Sequence, residues 1–74
     1  MSKAARFRDV EQILKACAPG SSWRVSRHSR VVEANGRTYR SLPKFDDIFL
    51  QEIRKMLRHL GISLECARGF IPAL

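Results

Sequence analysis

Trp23-Arg24-Val25-Ser26-Arg27-His28-Ser29-Arg30-Val31-Val32-Glu33-Ala34-Asn35-Gly36-Arg37-Thr38-Tyr39-Arg40-Ser41-Leu42-Pro43 is the stretch that decides the fold. Its centre is Asn35-Gly36, the pair best suited to a type I′ hairpin turn, because both middle residues of that turn need positive φ. The β-branched and aromatic residues on either side predict strands over about Trp23 to Arg27, Arg30 to Glu33 and Arg37 to Leu42. With this turn, Val32 stands opposite Tyr39 and Val31 opposite Arg40. Tyr39 and Leu42 have opposite parity, so a regular strand cannot point both at one core. A bulge, or a sheet partly covered on its second face, is the expectation.

Working outward, Phe7, Val10, Ile13, Leu14 and Cys17 recur at spacings of three and four, which predicts an amphipathic helix from about Phe7 to Ala18. Pro19-Gly20-Ser21-Ser22 ends it. On the other side, Pro43-Lys44 leads to a second helix, begun and capped at Asp46 or Asp47. Ile48, Phe49, Ile53, Met56, Leu57 and Leu60 form its apolar stripe, and Gly61 stops it. The tail from Ile62 carries Phe70, Ile71 and Leu74, too apolar to be wholly solvated, but no period assigns its conformation. The chain therefore reads as one small α+β domain over residues 1–74, with its core over about 7–63. The order is α-β-β-β-α: a three-stranded antiparallel sheet, two helices packed on one face, the other face open.

Composition narrows the function classes. The chain has 14 Lys and Arg against 7 Asp and Glu, a net charge of +7, with 45% hydrophobic residues. That is too apolar for disorder. The charge favours a polyanionic partner: RNA, DNA, an acidic protein or an anionic membrane surface. No apolar run approaches the ~20 residues of a membrane span, and the basic start leads into an amphipathic segment rather than a secretory signal. Cys17 and Cys66 lack CxxC spacing and are expected as reduced, partly buried thiols in the cytoplasm. Two separated cysteines and two separated histidines make no recognisable metal set, and no cofactor motif is present.

The candidate binding residues are the cations of the hairpin region, Arg24, Arg27, Arg30, Arg37, Arg40 and Lys44. On the second helix, Arg54, Lys55 and Arg58 extend them. Guanidinium forks suit phosphate oxygens, and their binding releases counterions. The competing reading is a solvated sheet face and an ordinary polar helix face. His28, at a strand junction between Arg27 and Ser29, is the candidate general acid or base. In RNA the 2′-hydroxyl is an internal nucleophile, so cleavage needs proton transfer and charge stabilisation at the phosphate. The alternative for His28 is a surface turn residue or one more phosphate contact. Trp23 reads as a core anchor, Tyr39 as either a partner of Val32 or a ring for nucleic acid, and His59 as a surface residue.

In this setting Gly20, Trp23, His28, Asn35-Gly36, Leu42-Pro43 and the closing Glu52-Ile53-Arg54-Lys55-Met56-Leu57-Arg58-His59-Leu60-Gly61-Ile62-Ser63 resemble the HicA-type mRNA interferase toxins. The likeness covers about Phe7 to Ser63. It implies a fold like that of double-stranded-RNA-binding domains, metal-independent endoribonuclease activity with His28 catalytic, and an acidic antitoxin partner of HicB type. In the family the catalytic histidine usually follows Gly-Ser, whereas Ser26-Arg27 precede His28 here. Counting back from the Asn-Gly turn puts His28 at the catalytic position; counting forward from Gly20 puts Arg30 there. The Gly-Thr pair that commonly opens the family's last helix is replaced by Gln51-Glu52. Two functions follow as expectations: an RNA-cleaving toxin, or a non-catalytic nucleic-acid-binding module of the same fold.

Overall fold

The computed structural model describes residues 3–74. Its elements are β1 (Ala4–Arg6), α1 (Phe7–Cys17), β2 (Ser22–Val25), β3 (Arg30–Ala34), β4 (Arg37–Leu42), β5 (Asp47–Phe49), α2 (Leu50–Leu60) and α3 (Leu64–Arg68). The predicted antiparallel sheet is present in the order β2-β3-β4, with helices packed against it. Asn35 and Gly36 take φ of 54° and 74°, the left-handed pair that a I′ turn requires.

Val32 pairs with Tyr39 as the turn dictates, but Arg30 pairs with Leu42. Val31 alone therefore faces both Arg40 and Ser41, which is a bulge in β4. The extra residue flips the parity of β4, so Leu42 is fully buried and Tyr39 is packed against the same core. Phe7, Val10, Ile13 and Leu14 of α1 and Ile53, Met56, Leu57 and Leu60 of α2 close that face. Val31, of opposite parity to Val32, is buried yet lies outside this cluster, which marks the second face of the sheet.

The structure corrects the reading at four places. First, α2 begins at Leu50, and neither Asp46 nor Asp47 caps it. Residues 47–49 instead pair with 4–6 as a small second sheet, β1-β5. Across it the Phe7 N–H donates to the Asp46 carbonyl at 2.8 Å and the Leu50 N–H to the Lys3 carbonyl at 3.0 Å. Each long helix thus has its first N–H satisfied from the opposite strand, in place of a side-chain cap. Second, Phe49 is not on the core stripe: strand alternation buries Ile48 and turns Phe49 outward.

Third, the core extends beyond residue 63. Ser63 Oγ accepts the Cys66 N–H and starts α3, and Ala67, Ile71 and Leu74 then join the core cluster. Arg54 Nη2 donates to the Ala73 carbonyl at 3.1 Å and Arg68 Nε to the Leu74 carbonyl at 2.8 Å, tying the tail down. Fourth, Cys17 and Cys66 are not free thiols but a disulfide. The return of α3 along α1 brings their Cα atoms to 6.0 Å, a proximity that spacing in the sequence cannot reveal. Among the described residues no helix is long and apolar enough to cross a membrane.

The tip of the β3-β4 hairpin also finishes α2. Gly61 takes the left-handed conformation with φ 70°, and the Ile62 N–H donates to the Leu57 carbonyl at 2.9 Å. Asn35 Nδ2 donates to the Leu60 carbonyl at 2.9 Å and Arg37 Nη1 to the His59 carbonyl at 3.2 Å. The cationic side chain of Arg37 sits where the helix dipole is negative.

A candidate nucleic-acid interface at the turn end of the sheet

The turn between β2 and β3, Ser26-Arg27-His28-Ser29, is pinned from three sides. The Ser26 N–H and Oγ both donate to the Ser29 carbonyl, at 2.7 and 3.0 Å. Ser29 Oγ donates to the Arg40 carbonyl at 2.6 Å, fastening the turn to β4. Lys44 Nζ donates to the Arg27 carbonyl at 2.7 Å, which holds an ammonium against the turn backbone. His28 lies on this turn, exposed, between exposed Arg27 and half-buried Ser29. Its ring makes no hydrogen bond among the described residues.

Register places the adjoining surface. Arg24 pairs with Val31, and Val31 faces Arg40 across the bulge, so these three side chains share the outer face. Arg24 and Arg40 are exposed and Val31 between them is buried. Two strand spacings separate the two arginines, roughly 10 Å. The acidic Glu33 is two residues further along, beside Ser22 and Thr38, near the hairpin tip. The outer face is therefore polarised: Arg24 and Arg40 lie toward the turn that carries Arg27 and His28, the carboxylate toward the tip.

Of the cations named from sequence, Arg24, Arg27, Arg40 and Lys44 gather here. The others do not. Arg30 shares the parity of Val32 and points to the core side, where it is 7% exposed. Its Cζ lies 3.6 Å from the Phe7 ring centroid, and Nη1 donates to the carbonyls of Pro43 at 2.7 Å and Phe45 at 3.0 Å. Burial pulls its pKa below the ordinary value, opposed by the Asp46 and Glu11 carboxylates. Stacked and bonded in this way, it braces the loop after β4 and is absent from the open face. Arg37 caps α2. Arg54, Lys55 and Arg58 are exposed on α2, where Arg54 is bonded to the tail and Lys55 is 3.5 Å from Glu52.

Ser26 and Ser29 build the turn, a role that neither charge nor periodicity reveals. A serine at each end of a short segment between two strands was the available signal, since both can bond backbone. Parity was likewise available for Arg30, two residues before the core residue Val32. Trp23, expected as a core anchor, packs edge-on against Phe7 at 4.7 Å yet stays 39% exposed. Tyr39 packs opposite Val32, 5.6 Å from the His59 ring, and His59 Nε2 bonds the Thr38 carbonyl at 2.8 Å.

Burial, and to a lesser degree the Glu52 carboxylate, raises the Tyr39 phenol above its ordinary value. The fold thus favours the neutral phenol. Its contribution to stability is fully present below the unfolded value of about 10 and is lost as pH rises through the folded one. As the single tyrosine of the chain, it should show one absorbance transition above the free phenol's. A transition at the free value would mean a fully solvated ring.

No protein-family model, curated protein or solved structure matches this chain.

Proposed function

We propose that this protein binds RNA through the outer face of the β2-β3-β4 sheet and cleaves it beside His28, in the manner of a HicA-like mRNA interferase toxin. The observation that carries the reading is the gathering of Arg24, Arg27, Arg40 and Lys44 around an exposed histidine on a pinned turn. The guanidinium groups would neutralise phosphates and stabilise charge developing on the one being cleaved. His28 would take the proton of the 2′-hydroxyl as its oxygen bonds to phosphorus. The bond from phosphorus to the 5′-oxygen breaks, and that oxygen receives the proton, leaving a 2′,3′-cyclic phosphate and a 5′-hydroxyl. An acidic antitoxin would silence such a protein by covering the basic end.

Single-stranded RNA binding should weaken linearly with log[salt], with a slope of about −3 for four phosphate contacts at ~0.7 each. The Arg24→Ala/Arg40→Ala double variant should reduce the steepness by about 1.4, whereas Lys55→Ala/Arg58→Ala should leave the slope unchanged. Fluorescence anisotropy across a salt series measures this. An equal change from both pairs would remove the outer face as the RNA site.

A second reading rests on one specific feature: among the described residues no side chain bonds the His28 ring to fix its direction. A general base normally has an orienting partner. A non-catalytic RNA-binding module would keep the salt dependence above and leave RNA intact over long incubation.

A further inference from the structure

A different part of the molecule, on the core side of the sheet, carries exposed apolar groups that the RNA reading does not use. β2 ends the strand order, and all four of its residues are exposed. Trp23 is 39%, Val25 58% and Phe45 76% exposed. Arg30 is their common neighbour: it pairs in register with Val25, its Cζ is 5.8 Å from the Trp23 ring, and its Nη1 holds the Phe45 carbonyl. The polar edge of that guanidinium is incomplete. Nε is buried with no hydrogen-bond partner, and neither of the two Arg30 bonds uses Nη2. Nη2 is thus left free to donate a charge-assisted bond to an incoming carboxylate.

We propose that the free edge of β2 is a docking site for an extended acidic segment of a partner protein, which adds as a fourth strand and sets a carboxylate against Nη2 of Arg30. Strand addition supplies main-chain bonds to the N–H and C=O groups that an edge strand leaves unpaired. Alternate residues of the incoming strand then lie against Trp23 and Val25 on one face and near Arg24 on the other. Charge selects the occupant. A second copy would bring another chain of net charge +7 and another Arg24 alongside the first, with no carboxylate in β2 to offer. An acidic strand meets Arg24 and Arg30 with opposite charge. This site borders the outer-face RNA surface at Arg24, and it does not depend on that surface binding RNA.

The test is an NMR titration of the ¹⁵N-labelled whole chain with three synthetic peptides. One is Thr-Val-Glu-Glu-Glu-Val-Thr, whose central Glu shares a face with both Val residues. The second carries Gln in place of the central Glu, and the third is the shuffled Val-Val-Thr-Thr-Glu-Glu-Glu. The first should bind about tenfold tighter than either other peptide and should slow amide exchange within residues 22–25. A Val25→Ser/Phe45→Ser double variant, which alters exposed side chains and no charge, should lose about tenfold in affinity for it. Equal binding of the first and shuffled peptides would reduce the effect to bulk charge and overturn the proposal. So would protection falling outside β2, or β2 protection produced merely by concentrating the protein, which would make a second copy the occupant.

Discussion

Replacing His28 with alanine should abolish RNA cleavage while leaving RNA binding and the fold intact. Proton transfer by a positioned side chain is worth ~10²–10⁴ in rate, so the variant should be essentially inactive. His28 is exposed and its ring bonds no other described residue, so stability should move by no more than ~0.5 kcal/mol. His28→Lys is the necessary companion. It keeps a cation beside Arg27 and should retain affinity yet not restore cleavage, because an ammonium is a poor base near neutral pH. Cleavage rates on a defined oligonucleotide, together with binding by anisotropy, check this. Growth arrest on induction of the wild type and its loss with His28→Ala would agree in cells. Equal cleavage by wild type and His28→Ala would end the assignment. Intact RNA with the wild type bound would leave the binding module as the function.

Reducing the Cys17–Cys66 disulfide should lower stability by about 4 kcal/mol, the second large effect. The two cysteines are 49 residues apart, so the bond removes a long loop's freedom from the unfolded chain. On the scale of a domain this size, whose whole stability is roughly 4–11 kcal/mol, that is a large share. The transition should move down by tens of degrees, at ~4–8 °C per kcal/mol. The native contacts of the tail do not require the bond, since Ala67, Ile71 and Leu74 are buried in their own right. Urea unfolding of oxidised chain, reduced chain and the Cys17→Ser/Cys66→Ser variant measures it. Coincident midpoints would show that the bond contributes nothing. A small core makes such a covalent tie valuable, and a reducing compartment would remove it.

These two predictions differ in how visible their residues were beforehand. His28 could be placed at a strand junction because the Asn35-Gly36 turn sets the register of everything around it. The disulfide could not, because it depends on α3 lying back along α1, and Leu64-Glu65-Cys66-Ala67-Arg68 is too short to show a period. The β1-β5 pair was hidden for a related reason: Ala4-Ala5-Arg6 has no strand signature of its own and becomes a strand only by pairing with 47–49. That pairing in turn displaced the start of α2 from the aspartates to Leu50. Charge was misleading in one direction only. Arg30 belongs to the same run of arginines as Arg24 and Arg27, but its parity turns it inward, and parity outranks composition in a strand with one buried face.

The sequence by itself determined the two long helices, the three strands and the pairing set by their turn, because each rests on local periodicity or one obligatory turn conformation. It also determined that the surface would be strongly cationic. Of the two outcomes it left open, a bulge and a partly covered second face, the structure shows the bulge. Only the tertiary structure decided which cations share a face, that Arg30 and Arg37 hold backbone carbonyls, and that the tail completes the core through Cys66. Those outcomes depend on which segments distant in sequence come within a few ångströms of one another. Side-chain chemistry sets the strength of such a meeting, but the path of the whole chain sets whether it happens.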